Sequence, residues 1–198
     1  MIADGEDEVR RAVRERFRQG AHSIKMMTSG GVISQIDPLR LPQYSAGEIR
    51  VAVEEAAGRG SYVAAHAYSP EAIRHSVDNG VRSIGRGNLL DAESAKNMAG
   101  HGAFLVPTLA AYDAMERRGL ELGLEPVSLE KNRAILEAGS AALGIARSAG
   151  VKIGFGSDLM GDLEDHQLQG LRLQIEADGV ANVLRSAYQG QCRTHRQP

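Results

Sequence analysis

Apolar residues in this chain gather into short runs, each preceded by a glycine and closed by a polar side chain. AHSI follows Gly20 and ends at Lys25, and SYVAA follows Gly60 and ends at His66. VRSIG follows Gly80 and ends at Arg86, and AFLVP follows Gly102 and ends at Thr108. VKIGFGS follows Gly150 and ends at Asp158. Glycine closes a helix because the residue after the last turn adopts a left-handed backbone. A short apolar run after it reads as a buried strand. The pattern therefore predicts helix, glycine, strand and polar tip, repeated. That is the βα unit of a parallel sheet, with reactive side chains at the carboxyl ends of the strands.

The intervening segments supply the helices. Residues 4–18 place Val9, Ala12, Val13 and Phe17 on one face, with Glu6, Asp7 and Glu8 first and arginines later, which complements the helix dipole. Those arginines read as a solvated outer face. Ser45 and Glu48 predict a capping box for a helix to about residue 57. Ser69 and Pro70 open another, stopped at Asn79 and Gly80, and Asp91 caps one ending near Gly100. Strands are expected at about 23–28, 62–67, 81–84, 104–109 and 151–155. Pro107 must sit at an exposed strand end. Residues 112–126 read as an irregular or helical connection of the kind that forms lids or pockets. Ser128 is expected to open a long helix to about residue 149, and the segment from His166 reads as one or two helices.

Composition narrows the class. The 198 residues fit one domain spanning 1–198, with 42% hydrophobic and 24% charged residues. A net charge of −2 gives no general attraction to nucleic acid or to an anionic membrane. The single cysteine, Cys192, excludes an internal disulfide framework and suits a reducing compartment. No apolar run reaches membrane-spanning length, and the charged start lacks a secretory signal's apolar region. A soluble cytoplasmic protein acting on a small molecule is the expectation. A complete (β/α)8 barrel takes about 250 residues, so five strands imply a smaller sheet or part of a barrel.

Lys25, His66 and Asp158 each end an expected strand, and in a barrel their tips converge. Histidine and aspartate there are reasonable divalent-metal ligands. A lysine at a buried strand end needs an acid partner, because an unpaired ammonium is costly. The plain structural reading is a Lys25–Asp158 ion pair beside a hydrogen-bonded histidine.

Five segments in order, IKMMTSGGVIS (24–34), AHAYSPEAI (65–73), GVRSIGRGNLLD (80–91), FLVPTLAAYDAM (104–115) and GVKIGFGSDLMG (150–161), together resemble the amidohydrolase superfamily. The match is to its imidazolonepropionase-like and dipeptidase-like branch, and it covers nearly the whole chain. The resemblance implies a partial (β/α)8 TIM barrel, about strands 4 to 8, truncated at both ends relative to the family. It implies hydrolysis of C–N bonds in amides, cyclic amides, acyl-amino acids or dipeptides by a metal-activated water. It implies one or two zinc ions, with Lys25 carboxylated by CO2 to a metal-bridging carbamate. His66 and Asp158 would be ligands, and Asp158 would also shuttle the proton to the leaving nitrogen. Tyr68 resembles a substrate-contacting tyrosine, and Ser29, Gly30 and Gly31 would line the pocket or simply form a turn.

Two departures bear on this reading. The family's His-x-His pair is absent from the sequence. Where the family usually has Glu-His-Gly, this chain has Gly85, Arg86 and Gly87. Arginine is a permanent cation that cannot coordinate a metal. Arg86 would instead bind a carboxylate or phosphate, or pair with Asp158. The alternative function is therefore a catalytically inactive remnant, acting as a small-anion binder or as a scaffold whose open edges favour a homo-oligomer.

Overall fold

The computed structural model describes residues 2–190. Helix α1 (Glu6–Arg18) precedes strand β1 (Ile24–Met27), then α2 (Ala46–Ala57), β2 (Val63–Ala67) and α3 (Pro70–Asp78). They are followed by β3 (Ser83–Arg86), α4 (Ala92–Gly100), β4 (Phe104–Val106), α5 (Leu109–Arg118), α6 (Pro126–Ser148) and β5 (Lys152–Ile153). A short 3-10 turn, Gly161–His166, leads into α7 (Gln167–Asp178) and α8 (Val180–Arg185). The strands form one parallel sheet in sequence order, β1-β2-β3-β4-β5. Consecutive parallel neighbours joined by helices are what repeated βα units produce.

Side-chain alternation gives the sheet two unlike faces. Ile24, Met26, Val63, Ala65, Ile84, Leu105 and Ile153 point into the helical layer and form the core with Ile49, Ala52, Ile73, Val77, Met98 and Leu143. Lys25, His66 and Gly85 belong to the opposite, concave face, where Lys25 is in register with Ala64 and His66 with Gly85. A second apolar cluster around Tyr68, Tyr112, Ile135 and Leu163 caps the carboxyl ends of the strands. Chemistry is thus collected on one rim by the strand register alone.

Most expected boundaries hold. The glycines that open the five runs all have positive φ, as the helix-stop reading required. Ser45 and Glu48 form the capping box, and Ser69 caps α3 with Pro70 at its first turn. The first-helix face is also as expected, with Val9 and Val13 buried. Its arginines are not merely solvated: Arg10 and Arg14 bond the Glu55 carboxylate on α2 at 2.5 and 2.8 Å.

Four local expectations are corrected. Strand β3 runs two residues later than 81–84, because Val81 still belongs to the turn, its N–H donating to the Ser76 carbonyl. Strand β4 stops at Val106, since Pro107 has no N–H for the ladder. Helix α5 covers the first part of the 112–126 connection, within the irregular or helical expectation. Helix α6 starts at Pro126 after Glu125, while Ser128 lies inside it and donates to the Ile33 carbonyl at 3.3 Å. Strand β5 is a two-residue strand and does not reach Phe155. Cys192 and His195 lie outside the described residues. Among the described residues, no helix is long and apolar enough to cross a membrane.

Candidate active site

A cavity of about 520 Å³ opens over the carboxyl ends of the strands. Lys25, His66, Tyr68, Arg86, Asp158 and Ser29 all line it. Its remaining wall is largely apolar, from Val32, Ile33, Ala111, Met115, Met160 and Leu163. Four of the five polar strand tips, Lys25, His66, Arg86 and Asp158, therefore meet in one place, with a largely hydrophobic wall facing them. An apolar pocket with a few convergent polar groups is the usual form of a small-molecule site.

His66 is held at both ring nitrogens. Its Nε2–H donates to the Gly30 carbonyl at 3.1 Å, and its Nδ1 accepts from Arg86 Nε at 3.2 Å. Accepting at Nδ1 requires the neutral ring. Burial, and after it the positive Arg86, lower its pKa to about 4, which agrees. Gly30 itself sits behind the histidine. A β-carbon there would come within 2.4 Å of the Pro38 carbonyl oxygen, so the loop needs glycine at this close approach. Ser29 is buried, and its hydroxyl accepts from the Tyr68 N–H at 3.3 Å, fixing the backbone beneath Tyr68.

Arg86 is the centre of the arrangement. Ala67, its register partner, points into the helical layer, and strict alternation would send Arg86 there too. Instead Arg86 has φ 89, which breaks the alternation and turns the side chain to the cavity. Its Nη1 donates to Thr108 Oγ1 at 3.2 Å and pairs with the Asp158 carboxylate. The guanidinium also lies 6.0 Å from the Tyr112 ring centroid. Burial opposes its charge, but Tyr112, Tyr68 and Asp158 together keep its pKa raised. Among the described residues, three non-glycine residues have positive φ: Arg86, Thr108 and Asp158. They are the three that this hydrogen-bonded cluster joins. Backbone strain of that kind collects where function fixes side-chain positions.

The expected Lys25–Asp158 pair is replaced by the Arg86–Asp158 pair. Lys25 is exposed along the concave side of β1, yet stands among the strand tips. Crowding by protein atoms and then Arg86 lower its amine to about 8, against the pull of Asp158. The exposure of Lys25 to solvent screens these charges. Tyr68 and Tyr112 share a hydroxyl–hydroxyl bond of 2.9 Å, and burial raises the pKa of both. Sequence reasoning did not single out Tyr112. Its signal was an aromatic just beyond the Thr108 tip, in a segment expected to line the pocket.

These residues do not fit a zinc ion as they stand. A tetrahedral ion needs several lone pairs aimed at one point. The Nδ1 lone pair of His66 is taken by Arg86, its Nε2 carries a proton, and Asp158 is paired with Arg86. Among the described residues, no three His, Cys, Asp or Glu side chains come together to hold a metal.

A model of the amidohydrolase family matches residues 1–188. The chain belongs to the amidohydrolase family. Ochratoxinase of Aspergillus niger is 37% identical over 157 residues, covering 79% of this chain and 32% of that protein. A prolidase complexed with N-methylphosphonate-L-proline superposes with a TM-score of 0.95 at 46% identity, covering 98% of this chain and 47% of that one. An Xaa-Pro dipeptidase with bound methionine in its active site gives a TM-score of 0.88 at 28% identity, covering 98% and 48%. The chain spans about half the length of these solved relatives and 32% of the curated ochratoxinase. Its open parallel sheet is accordingly part of the amidohydrolase (β/α)8 barrel.

Proposed function

We propose that this amidohydrolase chain forms a site for hydrolysis of a C–N bond in a small acyl-amino acid, dipeptide or cyclic amide. The observation that carries the reading is the convergence of Lys25, His66, Tyr68, Arg86 and Asp158 on one apolar-walled cavity. The relatives point the same way: a prolidase and an Xaa-Pro dipeptidase share the fold at 46% and 28% identity, and ochratoxinase is 37% identical over 157 residues. The Arg86 guanidinium and the Lys25 amine offer donors to a substrate carboxylate, and the wall of Val32, Ile33, Met115 and Leu163 suits an apolar body.

Zinc and a carboxylated Lys25 are what the family resemblance implies, but the donor set does not fit the ion. The chain's own groups suffice for a defined division of labour. Asp158, exposed at the rim, takes a proton from a water whose oxygen attacks the amide carbonyl carbon. Charge developing on the carbonyl oxygen is met by the guanidinium of Arg86 and the amine of Lys25. The proton then passes from Asp158 to the leaving nitrogen as the C–N bond breaks, giving a carboxylic acid and an amine. Tyr68, supported by Tyr112 and Ser29, limits where the substrate can lie.

A second reading is favoured by one observation. The Arg86–Asp158 pair occupies the carboxylate that the reaction needs, which suits a site that binds amides and carboxylates without turnover. The deciding experiment incubates the purified chain with N-acyl amino acids and Xaa-Pro dipeptides, measuring released amine and, by calorimetry, binding. Amine release that falls about a hundredfold in Asp158→Asn supports hydrolysis. Binding without release supports the inactive site. Neither binding nor release sinks both.

A further inference from the structure

We infer that the guanidinium of Arg86 stands in the place of a metal ion, so the site carries its own cation and takes up no zinc. A metal centre and this cluster pose the same problem, a positive charge between an imidazole lone pair and a carboxylate. Here Arg86 Nε reaches His66 Nδ1 at 3.2 Å, and Nη1 bridges Thr108 Oγ1 and the Asp158 carboxylate. The histidine is oriented for a cation on Nδ1 by its other nitrogen, whose proton goes to the Gly30 carbonyl at 3.1 Å. That is the arrangement by which proteins orient a metal-binding imidazole. The cation it receives is covalently part of the chain.

The backbone shows that this placement is built in. Arg86 leaves the alternation of β3 through φ 89, while Thr108 and Asp158 hold φ 32 and 54 to meet it. Three separate strand ends accept unfavourable backbone geometry, and each of them supplies one member of the same cluster. A guanidinium keeps its charge at any physiological pH and offers no lone pair, so it excludes a second cation instead of sharing the site. Lys25, two strands away on β1 but lining the same cavity, adds to that exclusion.

The inference concerns the cation and holds whichever amide or carboxylate the pocket accepts. It is tested on the full chain by titrating zinc in the presence of bicarbonate. Retained metal is measured after dialysis, and the His66 ring nitrogens are followed by 15N NMR. The expected result is no stoichiometric zinc and an Nδ1 resonance of a hydrogen-bond acceptor that zinc does not move. Arg86→His removes the cation and offers an imidazole at the same tip, and it is expected to retain about one zinc per chain. Stoichiometric zinc on the native chain, with a shifted His66 resonance, overturns the inference. So does an Arg86→His protein that melts normally yet takes up no zinc. Should that variant not fold, the native-chain titration and the Nδ1 resonance still decide.

Discussion

The backbone of Gly85 lies directly under the Lys25 amine, so that a β-carbon built on it would sit 2.8 Å from Nζ. The obstructing atom is the end of a flexible chain, which can swing toward the exposed side of β1. Gly85→Ala is therefore expected to cost less than about 1 kcal/mol. Its effect should fall on Lys25, seen as faster modification by an amine-selective reagent at unchanged melting temperature. A large drop in stability would place Gly85 in the packing instead.

Gly30→Ala faces a different obstacle. Its β-carbon would meet backbone oxygens of Pro38 and Asp37 at 2.4 and 2.6 Å, and backbone cannot step aside cheaply. A loss of about 1–3 kcal/mol is expected in urea unfolding. Because the Gly30 carbonyl holds His66, the imidazole NMR signals should shift in the same variant.

Tyr112→Phe keeps the ring that faces Arg86 and deletes the hydroxyl bonded to Tyr68. A buried hydrogen bond of this kind contributes about 1 kcal/mol. The expected outcome is that much destabilisation, together with weaker binding of carboxylate ligands as Tyr68 gains freedom. Unchanged binding would show that Tyr68 is fixed by its backbone contacts alone.

Acid should loosen α1 from α2. The guanidiniums of Arg14 and Arg10 hold Glu55 at a pKa of about 2, below the ordinary carboxylate value of 4.5. A depressed folded-state pKa gives stability that is complete above about 4.5 and disappears as pH falls toward 2. Glu55→Gln should therefore lower stability at pH 7 and flatten its dependence between about pH 5 and 2. Equal acid sensitivity in both proteins would contradict this.

Much of the fold is legible because one device recurs. Glycines such as Gly80 and Gly150 mark where a helix must stop, and the apolar run beyond each has nowhere to go but the sheet. The polar residues that line the cavity were legible for the same reason, since Lys25, His66, Arg86 and Asp158 end such runs. The errors arise where the backbone leaves its regular course. The two-residue β5 and the early end of β4 depend on Pro107 and on neighbouring ladder geometry, which apolar patterning does not record. The partner of Asp158 was open for a related reason. Strand alternation places Arg86 on the wrong face, and the positive φ that corrects it follows from tertiary contacts with Thr108 and Asp158.

The order of the sheet has a consequence for how the molecule comes apart. Each strand touches its sequence neighbours, so the array can lose an end unit by breaking one interface, as in a linear stack of repeats. Lys25 stands on the first strand and Asp158 just past the last. Peeling at either end dismantles the pocket while the three middle strands remain paired. Amide hydrogen exchange should therefore find the cavity rim opening more readily than β2 and β3, and loss of binding should run ahead of loss of the fold.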